Sequence, residues 1–367
     1  VSGETSAVVG AVGPFATTGY ELQAGAHLTL TAAVPQVQPL VLAGDGTVDV
    51  AADISVADQT AMQIVAAALL PGTTQDGDQL LHIVSRGTVS GVKTDYYSGS
   101  FGVVSLGVNN VLQNEGTIKA AGNSIYGEDA SNAAVVFGGR VINNGRIELD
   151  GSYGTYAVET VVNTGTIVQT GSHTSYGIVD AASIINSGTI QTAGAAILNP
   201  AGTIINSGTI SSTDSVAISN GFWATRIDNL AGGMIVGGNG TAIQTPGSIV
   251  NSGTIIGNVN IGSWDGSAYY AAGGTLAGDL TFGSGSDLFL QLGEATGVSG
   301  MIDAGDGRDT FGIALTSSGT VAVGPAPGIG FEDAMVAVFG ADTVATVTAI
   351  DTAFTALHAA GDGTVVN

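Results

Sequence analysis

Along this chain one short phrase of apolar and polar positions keeps returning. It reads VLQNEGTI at Val111 to Ile118, VINNGRI at Val141 to Ile147, and VVNTGTI at Val161 to Ile167. IINSGTI follows at Ile184 to Ile190 and Ile204 to Ile210, and IVNSGTI at Ile249 to Ile255. A further copy around Ile227, Asn229 and Ile235 carries a two-residue insertion. The paired β-branched residues predict a strand, Asn-x-Gly a turn, and Thr-Ile the start of the next strand. No stretch sustains a helical period, and the alanine-rich segment from Thr60 to Leu70 is read as a strand.

The aligned asparagines are Asn114, Asn143, Asn163, Asn186, Asn206, Asn229 and Asn251, separated by 29, 20, 23, 20, 23 and 22 residues. That period fits one coil of a β-helix and is shorter than the roughly 33–34 residues of tetratricopeptide or ankyrin repeats. Leucine-rich repeats share the period, but the ladder here is Ile and Val. The fold expected is therefore all-β, a right-handed parallel β-helix (β-solenoid) with three short strands per coil of about 20–23 residues. The longest step is expected to hold a loop insertion within Ala121 to Ser131.

Coils stacked about 4.8 Å apart would align identical residues. The seven asparagines should form a hydrogen-bonded ladder, with Asn and Gly supplying left-handed backbone at the corner. Ile118, Ile147, Ile167, Ile190, Ile210, Ile235 and Ile255 should stack inside. A second element, Ala157-Val158, Gly177-Ile178, Ala196-Ile197, Ala217-Ile218 and Ala242-Ile243, predicts another strand per coil. Ser85-Arg86-Gly87-Thr88-Val89 and Gly44-Asp45-Gly46-Thr47-Val48 read as degenerate copies. The array should form an unbranched rod on the order of 70 to 80 Å long.

Three regions are expected: residues 1–40 as an N-terminal segment that caps the array or holds degenerate first coils, 41–320 as the solenoid, and 321–367 as continuing coils. The last residues, Val365-Val366-Asn367, repeat the opening of the Val161 copy, so the array is expected to continue in a longer parent protein. The chain starts at Val1 with no signal-peptide pattern, so such a leader would already be removed or lie outside it.

Composition narrows the function classes. Among 367 residues there are 58 glycines, while charged residues make up 10% and aromatic residues 6%. With no cysteine, a thiol nucleophile, a Cys-ligated zinc site and an iron–sulfur cluster are excluded. Thirty acidic against seven basic residues give a net charge of −23, which repels phosphate backbones and anionic membranes. No nucleic-acid partner is expected, and membrane contact only through a separate domain. No apolar run approaches the length of a membrane helix.

The Asn-x-Gly-Thr-Ile repeats resemble those of autotransporter passenger domains. Gly283-Ser-Gly-Ser-Asp287-Leu-Phe289, then Gly305-Asp-Gly-Arg-Asp309-Thr-Phe311, then Gly330-Phe331-Glu332 and the alternating stretch Thr343 to Thr348 are similar in order to segments between such repeat blocks. The resemblance covers residues 40–367. It implies secretion across the outer membrane to the bacterial cell surface, with the membrane barrel in a separate domain.

Among candidate sites, Gly-x-Gly-x-Asp-x-Phe also resembles the glycine-rich repeats that bind calcium. This makes Asp287, Asp306 and Asp309 candidate calcium ligands, with no other cofactor expected. Their alternative is a polar solenoid corner. His27, His82, His173 and His358 belong to no motif, and no Gly-x-Ser-x-Gly or His-Glu-x-x-His occurs. Tyr96-Tyr97, Trp223, Trp264 and Tyr269-Tyr270 fall in expected loops, where aromatics either bind sugars or shield the wall. The function expected is a non-enzymatic structural or adhesive module that contacts extracellular partners, glycans among them, or copies of itself in biofilm or filaments. The alternatives are a polysaccharide-cleaving enzyme and a calcium-ordered surface-layer component.

Overall fold

The computed structural model describes residues 4–7, 18–31, 38–57, 59–65, 81–92, 100–105, 109–121, 132–156, 158–221, 223–292, 297–324 and 327–366. They are all-β, with parallel strands stacked as a β-solenoid. The chain divides into two compact units, Val1–Ala201 and Gly202–Asn367.

In the first unit three strands make each clear coil. Leu81–Ser85, Val111–Asn114, Arg140–Asn143, Thr160–Asn163 and Ser183–Asn186 stack in parallel, which aligns Ile83, Leu112, Val141, Val161 and Ile184. After the turn, Ile54, Val89, Ile118, Ile147, Ile167 and Ile190 form a second column, all fully buried. Val103, Val135, Thr155, Ile178 and Ile197 form the third. Each such aliphatic side chain contributes roughly 2 kcal/mol by leaving water. In the strands that flank the asparagine turn residues alternate in direction, so Arg140 and Ile142 beside Val141, and Thr189 and Gln191 beside Ile190, point outward.

The second unit repeats this plan with a change of filling. Ile204, Ile227 and Ile249 align with Tyr269, Phe289 and Phe311. The aromatic rings stack at centroid distances of 5.9 Å and 6.1 Å. Ile210, Ile235, Ile255 and Leu276 make the column after the turn, and Ile218, Ile243, Val259, Leu280 and Ile302 make the third. A separate sheet joins Gly319–Val323, Val344–Ile350 and Thr364–Val366.

The asparagine ladder forms within each unit. Asn114 donates its side-chain amide to Asn143 Oδ1, Asn143 to Asn163, and Asn163 to Asn186, each at 2.7 Å. In the second unit Asn206 donates to Asn229 and Asn229 to Asn251, both at 2.9 Å. These amides are buried, so each paired rung removes a desolvation cost as well as adding a bond. The 29-residue step is one coil, since Asn114 and Asn143 are in register. Most of its expected insertion, residues 122–131, lies outside the described residues, as do Ala157, Tyr96 and Tyr97.

Three expectations are corrected. None of the ladder asparagines, nor Gly116, Gly145, Gly165 or Gly188, takes a positive φ. Glycine is needed there for closeness instead, because a Cβ on Gly145 would lie 2.2 Å from the Gly116 carbonyl oxygen, and one on Gly165 2.1 Å from that of Gly145. Gly44 to Val48 is not a copy of the repeat. Val48 pairs with Ile83, and the segment equivalent to Ser85–Val89 is Val50–Ile54. Gly44 and Gly46, at φ of 95° and 151°, serve a register shift against the preceding strand. In the third strand, Thr155 rather than Val158 aligns with Ile178 and Ile197.

Candidate functional site

Within the second unit the third strands are in register through Ser219, Gln244, Asn260, Thr281 and Asp303. The first strands of the coils that follow are in register through Arg226, Ser248, Ala268, Leu288 and Thr310. Between these fixed rows the chain turns one corner of the solenoid, and successive corners differ in length. They comprise residues 220–224, 245–246, 261–267, 282–287 and 304–308. The second corner is only Thr245-Pro246, closed by Gly247 at φ 124°, where a Cβ would lie 2.3 Å from the Thr225 carbonyl oxygen. A short coil between two long corners leaves a recess.

That recess is an open groove of about 490 Å³. Its floor is the outward row Arg226, Ser248, Ala268 and Leu288, and Asp265, Ser267 and Ser286 help line it. Trp223 and Trp264 each directly precede a lining residue, Ala224 and Asp265, and are 64% and 92% exposed. Both are therefore in loops, as the sequence suggested. Tyr269 and Tyr270 are not: both lie in the strand Ala268–Ala271, Tyr269 at 1% exposure in the core stack and Tyr270 half-buried against Leu290, Ala314 and Ala337. The Arg226 guanidinium is held by Asp228, its Nε 3.1 Å from each carboxylate oxygen.

The residues that close these corners make a second ladder. An N–H at a corner has no strand partner, and a buried one must find an acceptor elsewhere. The Gly247 N–H donates to the Ser267 hydroxyl at 3.3 Å, and the Ser267 backbone N–H donates to Asp287 Oδ1. The Asp287 backbone N–H donates to Asp309 Oδ1 at 2.7 Å, and the Asp309 backbone N–H to Glu332 Oε2 at 2.9 Å. The two aspartates thus lie in one column, as their one-coil spacing implied, and both are buried, while Asp306 is exposed. Burial raises Asp287 above the ordinary aspartate range. Asp309 is pushed up to about 6 by burial and by the Asp287, Glu332 and Asp306 carboxylates. Its Oδ2 is buried without a hydrogen-bond partner among the described residues. No group of three or more His, Cys, Asp or Glu side chains suited to a metal ion occurs among the described residues.

One ion network lies next to this column. The Asp333 carboxylate accepts from Arg308 at 2.8 Å and 3.1 Å and from Thr355 at 2.8 Å, with His358 Nε2 at 3.2 Å. The Arg308 contact holds Asp333 down at about 2.

In the first unit, Asp150 accepts from the His173 backbone N–H at 3.1 Å and meets its ring Nδ1 at 2.8 Å, a pairing that no sequence motif announced. Nearby Ser175 is buried, and its hydroxyl donates to the His173 carbonyl rather than to the ring. The arrangement fixes a loop and does not align a nucleophile with a base. His82 is partly buried, and its Nε2 has no hydrogen-bond partner among the described residues.

No family model, curated protein or solved structure matches the chain.

Proposed function

We propose that this chain is a structural and adhesive module of a bacterial surface protein, exported in the manner of an autotransporter passenger. One observation carries the reading. The repeated side chains are committed to holding the stack, with isoleucine columns and asparagine ladders inside, while variation falls on the corners. That division suits a scaffold that presents loops to an extracellular partner or to another copy of itself. The net charge of −23 favours dispersal in water and disfavours nucleic acid.

The test compares bacteria carrying the parent gene with an in-frame deletion of this segment, scored for cell–cell aggregation and surface attachment. The module reading predicts loss of attachment with normal growth. Unchanged attachment, together with release of reducing sugar from polysaccharide by the purified chain, would instead favour the enzyme alternative.

A further inference from the structure

We propose that the groove over Arg226, Ser248, Ala268 and Leu288 binds a neutral glycan chain, with Trp223 and Trp264 as its aromatic platforms. The idea rests on the adhesive reading and gives it a ligand class.

The first observation is the cost of leaving these residues in water. The chain has two tryptophans, and both stand largely exposed although the same unit buries Tyr269 and Phe289 completely or nearly so. A large aromatic left in water forgoes several kcal/mol of burial, so an exposed pair in one place marks a contact surface.

The second observation is placement. Trp223 and Trp264 are 41 positions apart in sequence yet lie on the same corner, two coils apart, separated by the clipped corner Thr245-Pro246. Two coils span about 10 Å, comparable to a short run of sugar rings in an extended glycan.

The third is preorganisation. Buried Asn220 clamps the Trp223 backbone from both sides, donating to its carbonyl at 2.9 Å and accepting its N–H at 3.3 Å. Beside Trp264, the Ser263 hydroxyl accepts the Asp265 N–H at 3.1 Å, and Gly266 turns the chain at φ 89°. Loop backbones fixed before binding lose little entropy when a ligand arrives.

The chemistry of the surface selects the class. Sugar rings offer C–H faces to stack on indole and hydroxyls to hydrogen-bond, and the groove supplies Leu288 and Ala268 beside Ser248, Ser267, Ser286 and Asp265. An anionic glycan is disfavoured by the net charge of −23 and by Asp228 already occupying Arg226.

Because the two proposed platforms are the chain's two tryptophans, tryptophan fluorescence reports on their occupancy directly. The intact protein is titrated with cello-, laminari-, manno-, malto- and N-acetylchito-hexaose, and with a sulfated oligosaccharide as control. At least one neutral hexaose should shift the emission to the blue. Trp264→Ala and Trp223→Ala should each weaken its binding about tenfold or more, as expected for truncated aromatic anchors, with unchanged melting temperature. No response to any neutral hexaose, tighter binding of the sulfated control, or a blue shift on concentrating the protein alone would overturn the proposal. The last result would assign the groove to a second copy. If glycan binding fails while deletion of the segment still abolishes attachment, the groove falls and the module reading stands.

Discussion

Asn251 donates its side-chain amide to the Tyr269 hydroxyl at 3.1 Å, and at that contact the amide ladder gives way to an aromatic stack. The ladder needs an acceptor on the next coil, and the alanine in register with Asn251 cannot supply one. The phenol reaches across from the neighbouring column. Burial pushes the Tyr269 hydroxyl well above the ordinary tyrosine range, so it stays a neutral partner. Tyr269→Phe keeps the stack on Phe289 and removes only the acceptor. It should cost about 1 kcal/mol, whereas Tyr269→Ala should cost about 3–5 kcal/mol, both read by denaturant unfolding. Equal losses would mean that the hydroxyl and not the ring carries the site.

At the ladder's first rung, Asn114 Oδ1 and the Ser85 hydroxyl, in register with each other, are both buried without partners among the described residues. Ser85→Asn would supply an amide donor to Asn114 and leave one unpaired atom in place of two. It should raise stability by about 1 kcal/mol. A loss of stability would show that Val50, in register with Ser85 on the preceding coil, leaves no room for an amide.

The inside–outside alternation gives a sharper contrast. Ile190 is fully buried against Ile167, and Thr189, one residue away, faces out. Ile190→Asp buries an unpaired carboxylate and should cost about 4 kcal/mol or more. Thr189→Asp should cost less than about 1 kcal/mol. Similar melting temperatures for the two variants would contradict the assignment.

Asp309 makes stability depend on pH in an unusual direction. Its folded value of about 6 lies above the ordinary aspartate value, so the folded state binds the proton more tightly than the unfolded one. Its contribution is complete below the unfolded value of about 4 and is lost as pH rises through 6. Asp333 has the opposite sign: held at about 2, its contribution is present above the unfolded value and is lost as pH falls toward 2. The melting temperature should therefore rise on acidification from neutral pH and fall again under strong acid. Asp309→Asn keeps an acceptor for the Asp287 N–H and cannot ionise. It should be more stable than the native protein at neutral pH and lose that advantage near pH 4. A variant less stable at neutral pH would contradict this account. Calcium held by the column would add a separate sign, a melting temperature lowered by chelator in the native protein but not in Asp309→Asn.

Much of this fold was legible because a parallel stack repeats its solution. Identical residues meet identical residues, so Asn114, Asn143 and Asn163 announce their own register. The third strand was less clear, since a buried Thr155 fills an aliphatic row where Val158 looked the better match. The glycine's reason was hidden too, because a carbonyl from the coil above is not a sequence neighbour. At the corner, the spacing of Asp287 and Asp309 revealed their column. Glu332 joined it only through a register shift that pairs Asp309 with Phe331 and Thr310 with Asp333. The tryptophans were visible as loop residues, but the groove between their loops depends on corner lengths compared across three coils.

Display of this chain on the cell surface can be read directly by immunogold electron microscopy. Antibody raised to the chain is applied to intact, unpermeabilised cells of the producing bacterium. Gold particles on the outer surface, absent from the in-frame deletion strain, are the predicted result. Labelling that appears only after the envelope is permeabilised would contradict surface display.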